Sequence, residues 1–178
     1  TEVMAEYARY ADLCVMGQTD PDDPAPTSGG AVLEHVLFAS GRPVLMVPYT
    51  GNFETIGRRV MLGWTPTREA TRALHDALPL LAPDASVTVL RVAANAEEIE
   101  ERGTLTAPIA THLARHDVTV TAHEAVGGDI SVADLMLNAV SDEGTDLLVI
   151  GAYGHSRLRE MVMGGVTRTL LAQATVPV

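Results

Sequence analysis

Residues 146–178 read DLLVIGAYGHSRLREMVMGGVTRTLLAQATVPV. After Asp146 the segment LLVI is wholly apolar, as strands covered on both faces of a parallel sheet are. Gly151 ends it, and Gly154 lies three residues on. Gly164-Gly165 then opens a helix with Thr167 in its first turn, and TVPV at 175–178 begins another strand. Strand, glycine loop, helix, strand is the grammar of a βαβ unit. The stretch also has an earlier counterpart. Moved back 134 positions, Ala139, Asp146, Leu147, Val149, Gly151, Gly164, Val166, Leu171, Pro177 and Val178 fall without a gap on Ala5, Asp12, Leu13, Val15, Gly17, Gly30, Val32, Leu37, Pro43 and Val44. A period of that size is a domain, not a solenoid unit.

The rest of the chain continues the pattern. Short apolar runs at 12–17, 43–48, 59–64, 86–92 and 117–123 read as strands. Ala70, Ala73, Leu74, Ala77 and Leu78 fall on one helical stripe, with Thr65 as N-cap, Pro66 at the first helical position and Pro79 closing it. Further helices are expected over 104–116, from Asp129 or Ser131 to near Gly144, and after Gly165. The acidic run Glu97, Glu98, Glu100 and Glu101 reads as a solvated loop. The expected fold is α/β, a doubly wound parallel sheet, flavodoxin/Rossmann-like and repeated in tandem. Residues 1–56 would be the C-terminal half of a first unit with its linker (Tyr49 to Thr55), and 57–178 a second unit lacking the end of its final strand. The 134-residue period then implies a natural chain extending about 90 residues upstream, and a little downstream.

Composition narrows the chemistry. The chain has 178 residues, net charge −11, and 12 basic residues that are all arginine. With no lysine there is no Walker A phosphate loop, no Schiff base and no lysine base. The single Cys14 forbids an internal disulfide and any multi-cysteine metal site, and its apolar run reads as a buried inert thiol. Acidity and seven aromatics argue against nucleic-acid binding. No apolar run approaches the ~18 residues of a membrane span, and the N-terminus lacks a signal-peptide layout, so a cytoplasmic location is the expectation.

Doubly wound sheets bind ligands beyond the carboxyl ends of their strands, at the switch in strand order. The loop after Gly151 lies there. Residues 152–163 carry Arg157, Arg159 and Glu160, net +1 with His155 neutral, and the helix start offers free N–H groups to an anion. A phosphate cradle is one reading and a purely structural loop the other. The earlier counterpart, residues 18–29, has Asp20, Asp22 and Asp23 and no base, so it should repel phosphate. A solvated acidic loop is favoured there over a Mg²⁺ or Ca²⁺ site. His112 and His116 stand one helical turn apart without a third ligand in view, and read as an exposed helix face. His123-Glu124 lacks the HExxH spacing, and His155-Ser156 is no nucleophile elbow. Trp64 reads as packed between sheet and helix.

The pattern Gly151-xx-Gly154, nine residues, Gly164, then a small residue and Val166-Thr167 resembles the universal stress protein family. LLVIG at 147–151 and VPV at 176–178 are similar to it too, as are the counterparts DLCVMG and RPVLMVP, and the likeness covers essentially the whole chain. The resemblance implies a five-stranded sheet of order 3-2-1-4-5 and a regulatory, stress-response module without a catalytic residue. It implies ATP or AMP, with Mg²⁺, on Gly151, Gly154, Gly164, Gly165, Val166 and Thr167, the adenine between Ile150 and Val92, and Thr65, His155 and Arg157 nearby. It also implies a homodimer, or pairing of the two copies within the chain. Two positions depart from the family. Its aspartate after the first strand is Thr65, and its serine or threonine after the third glycine is Gly165. Each lost hydrogen bond to a charged group is worth about 1.5–3 kcal/mol, so affinity should drop about a hundredfold or more. A nucleotide-free scaffold in protein assembly is therefore the main alternative, and a slow ATPase the lesser one.

Overall fold

The computed structural model describes residues 1–22, 29–152 and 164–178. The chain runs α1 (Glu2–Ala8), β1 (Cys14–Gly17), α2 (Gly29–Ala39), β2 (Val44–Val47), β3 (Arg59–Gly63), α3 (Arg68–Ala77), β4 (Ser86–Ala93), α4 (Ala96–Arg102), α5 (Ala107–Leu113), β5 (Thr119–Val126), α6 (Val132–Asp142), β6 (Leu147–Ile150) and α7 (Gly165–Gln173), with 3₁₀ turns at Leu78–Leu80 and Ala114–His116. Strand and helix alternate and the strands pair in parallel, so the fold is α/β. Among the described residues no helix is long and apolar enough to cross a membrane.

Two sheets form. β3 to β6 stand in the order β5-β4-β3-β6, and β1 pairs with β2. In order of appearance the larger sheet reads 3-2-1-4. The expected fifth place is held by residues 176–178, which form no strand. Leu148 N–H donates to the Pro177 carbonyl (2.9 Å) on one side, and on the other Met46 and Val178 exchange two hydrogen bonds (2.7 and 3.0 Å). That reciprocal pair is antiparallel, so the segment joins the two sheets.

Each face of the larger sheet is covered. Val60, Leu62, Trp64, Val87, Val89, Leu147 and Val149 pack under α3 and α5, with Leu74, Ala77, Ile109 and Leu113. Met61, Leu90 and Leu148 pack under α6 and α7, with Met136, Val140 and Leu170. Burial on both faces is why these strands carry unbroken apolar runs. A fully buried leucine such as Leu62 or Leu148 contributes about 1.5–3 kcal/mol. The Asp146 carboxylate ties the start of β3 to β6 by accepting from the N–H groups of Gly57, Arg58 and Arg59 (2.9–3.2 Å).

Four sequence readings need correction. The N-cap of α3 is Thr67, whose side chain accepts from Ala70 N–H (3.3 Å), not Thr65. Helix 104–116 is shorter, α5 followed by a 3₁₀ turn, since Thr106 and Pro108 set its start. The acidic run is α4, not a solvated loop. Asn95 caps it by accepting from Glu98 N–H (2.8 Å), and the Glu98 carboxylate meets Arg91 (2.7 Å) and Ala94 N–H (2.9 Å). Arg91, only 2% exposed, also binds Glu124 (2.8 Å), so buried charge is answered on both sides. Cys14 is half-buried rather than buried, because β1 is open on one edge.

Candidate functional site

The switch in strand order lies between β3 and β6, where Gly63 pairs with Ile150. Beyond these carboxyl ends stand Thr65, the first turn of α3, Gly151-Ala152 and the start of α7. Gly154, His155 and Arg157, with Arg159 and Glu160, lie outside the described residues, as does Asp23 of the earlier loop. Asp20 closes a turn by accepting from Asp22 N–H (2.9 Å). Among the described residues no group of three or more His, Cys, Asp or Glu is arranged to hold a metal ion.

The glycines divide into two kinds. Gly151 is pressed against α3. A Cβ there would stand 2.7 Å from the Glu69 carbonyl carbon and 2.8 Å from Ala70 Cα, so glycine lets the first turn of α3 close on the end of β6. At Gly164 and Gly165 a Cβ would meet nothing within 4 Å among the described residues, and neither has a positive φ. Internal packing therefore explains Gly151 and leaves the later pair unexplained.

α7 starts without a side-chain cap on Gly164. Its first backbone bond is Arg168 N–H to the Gly164 carbonyl (3.0 Å), so the N–H groups of Gly165, Val166 and Thr167 have no acceptor within the helix. Those three donors and the positive end of the helix dipole suit an anion. Val166 is 41% exposed, whereas Thr167 is buried.

Val92 and Ile150 lie half-buried on the α6 face of the sheet, on β4 and β6 either side of β3, each packed against the cluster of Met61, Leu90 and Met136. Gly63 lies at this place with Ile150 Cγ2 3.1 Å from where its Cβ would be. Thr65 is exposed, and its carbonyl accepts from Thr67 N–H (2.7 Å). Trp64 packs into the core between sheet and α3, as its sequence reading has it, and its indole N–H is buried without a partner among the described residues.

A cavity of about 490 Å³ adjoins the site, running from Ile150, Ala152 and Thr167 toward β2. Its charged lining is Arg42, Arg68 and Arg72 with Glu69 and Asp76, and Arg72 pairs with Asp76 at 3.3 Å. This is a local positive excess in a chain of net charge −11. Arg68 escaped the sequence reading, since nothing local distinguishes it from a surface arginine. Its place three residues after Thr65, at the start of the helix that follows the first strand of the sheet, was the available signal.

The model of the universal stress protein family matches residues 57–178. Universal stress protein Slr1230 of Synechocystis is 26% identical over 153 residues, 84% of this chain and 50% of that protein, so the chain spans half the length of this curated relative. A universal stress protein from Archaeoglobus fulgidus superposes with a TM-score of 0.75 at 15% identity, over 99% of this chain and 64% of its own. UspA from Lactobacillus plantarum gives 0.55 at 14% identity, over 69% of this chain and 96% of its own. At these identities the two structures speak for the fold alone.

Proposed function

The chain belongs to the universal stress protein family, and on that premise we propose that it is a regulatory module that takes an adenine nucleotide, ATP or AMP, at the start of α7. The observation that carries this reading is the Gly164-Gly165 opening. Three backbone donors have no acceptor within the helix there, and among the described residues nothing stands within 4 Å of where a Cβ on either glycine would be. Phosphate would lie on the N–H groups of Gly165, Val166 and Thr167, with Mg²⁺ carried in on its oxygens, and the base would lie near Val92 and Ile150. Arg68, Arg72 and Arg42 raise the local potential for an anion. Gly154, His155 and Arg157 are assigned to the same site from the family pattern.

The module acts by binding, not turnover. Nucleotide on the first turn of α7 acts through that helix on residues 176–178, and so changes the surface where the two sheets meet. Residues 1–56 are read as half of a companion unit, because Gly17 and Leu37, in β1 and α2, stand 134 positions before Gly151 and Leu171, after β6 and in α7. The Met46–Val178 pairing then stands for association of two copies, within one chain or between two. That same pairing favours a second reading, a nucleotide-free scaffold, since it needs no ligand.

Calorimetric titration of ATP and AMP with Mg²⁺, beside a Gly165→Asp variant, separates the two. Micromolar binding that the variant abolishes supports the nucleotide module. Absence of wild-type heat up to millimolar ligand sinks it and leaves the scaffold.

A further inference from the structure

Three histidines, two of them one helical turn apart and the third on another helix, meet on the α5 side of the larger sheet. His75 lies in the last turn of α3, His112 in the last turn of α5, and His116 in the 3₁₀ turn that follows. The His112 ring lies between the other two, with centroids 5.2 Å from His75 at 50° and 5.0 Å from His116 at 61°. His75 Nδ1 is 2.8 Å from the Thr71 carbonyl, so that nitrogen carries the proton and donates. The Nε2 of His112 is buried and has no hydrogen-bond partner among the described residues. The cluster flanks the core where Leu74 and Ala77 of α3 meet Ile109 and Leu113 of α5.

From this geometry we infer that His75, His112 and His116 form an acid-opened clasp between α3 and α5, packed while His112 is neutral and loosened when it takes a proton. A neutral imidazole is tolerated with a buried, unpaired nitrogen far better than an imidazolium, whose charge would have no acceptor there. Burial holds His112 below the ordinary imidazole range of about 6.5, and charge on His116, His75 and Arg115 pushes the same way.

The surrounding charges do not rescue the protonated form. On α3, Asp76 is engaged by Arg72. The turn after α5 brings Arg115 and His116, followed by Asp117, the acid nearest in sequence. On β5, Glu124 is held by Arg91 and by Thr106, at the opposite end of α5. A folded-state value below the unfolded one means that the unfolded chain binds the proton first. The clasp's contribution is therefore complete above about pH 6.5 and is lost as pH falls through that value, levelling off below the folded-state value.

Urea unfolding of the whole chain between pH 7.5 and 5.0 tests this, with amide exchange of segments 68–80 and 104–118 corrected for intrinsic rates. In the wild type the unfolding constant should rise below pH 6.5, by up to about tenfold per pH unit for the one proton. Protection should drop in those two segments before it drops in α6. His112→Phe keeps an aromatic ring and removes the proton site, and should flatten the pH dependence. A His75→Gln/His116→Gln variant keeps His112 but removes its two histidine neighbours, and should show a shallower fall than the wild type even if His112→Phe does not fold. A wild-type pH profile retained in either variant overturns the clasp, as does loss of protection in α6 first.

Discussion

Gly151→Ala is the sharpest structural test of the site, because it sets two explanations of a glycine against each other. A Cβ at 151 would come within 2.7 Å of the Glu69 carbonyl carbon and 2.8 Å of Ala70 Cα, with the Ala70 nitrogen closer still. All three are backbone atoms in the first turn of α3, so no side chain can swing away. The turn has to move as a body. It is held by the Thr67 cap and by Ala70, which is 1% exposed. Forced overpacking of this kind costs about 1–3 kcal/mol, and for a chain of this length each kcal/mol lowers the melting point by about 2–4 °C. Gly165→Ala is the paired control. Its Cβ meets nothing among the described residues, and in a helical first turn it should be neutral or stabilise by about 0.4–1 kcal/mol. Urea midpoints and thermal melts of both variants, read beside nucleotide titration, should separate the roles. The first variant loses stability, and the second keeps both its stability and whatever affinity the wild type has, because the family's serine or threonine at that place also carries a Cβ. A Gly151→Ala protein as stable as wild type would refute the close-packing explanation.

Other outcomes follow from the same geometry. Arg91→Leu leaves the Glu98 and Glu124 carboxylates facing one another without their cation, and should cost about 3–5 kcal/mol in chemical denaturation. Asp146→Ala removes the acceptor of three backbone N–H groups at the start of β3, and should cost about 1–3 kcal/mol with earlier amide exchange at residues 57–59. Thr67→Ala, loss of the α3 N-cap, should cost about 0.5–2 kcal/mol, whereas Thr65→Ala should change stability by less than about 0.5 kcal/mol. Thr65→Asp returns the carboxylate of the family pattern, and should tighten nucleotide binding by about tenfold or more at unchanged unfolding midpoint.

The strands were legible because burial on both faces leaves an unbroken apolar run, and LLVI, RVMLG and SVTVLRV announce themselves without any knowledge of their neighbours. The switch in strand order, where the site is proposed, was legible for a related reason, since the sheet places it beside the first and fourth strands of the unit. What escaped local reading depends on contacts far apart in sequence. Glu98 looks solvated until Arg91 is seen on the adjoining strand and Glu124 beyond it. His112 looks like an ordinary exposed histidine until α3 brings His75 against it. The Thr65-Pro66 pair is a fair cap signal in isolation, but Thr65 leaves β3 too early, and Thr67 has the extended backbone and the reach to Ala70 N–H. Gly151 and Gly165 are alike on paper, and only the position of α3 shows that one makes room for a helix.

The central claim is that an anion belongs on the first turn of α7. Amide chemical shifts of Gly165, Val166 and Thr167, followed as Mg²⁺-ATP is titrated into isotope-labelled protein and compared with adenosine alone, test it most directly. The account predicts that all three amides move downfield and saturate together with ATP, that adenosine moves residues near Val92 and Ile150 without them, and that Gly165→Asp abolishes the ATP response. Unchanged shifts at the three amides under saturating ATP would contradict it.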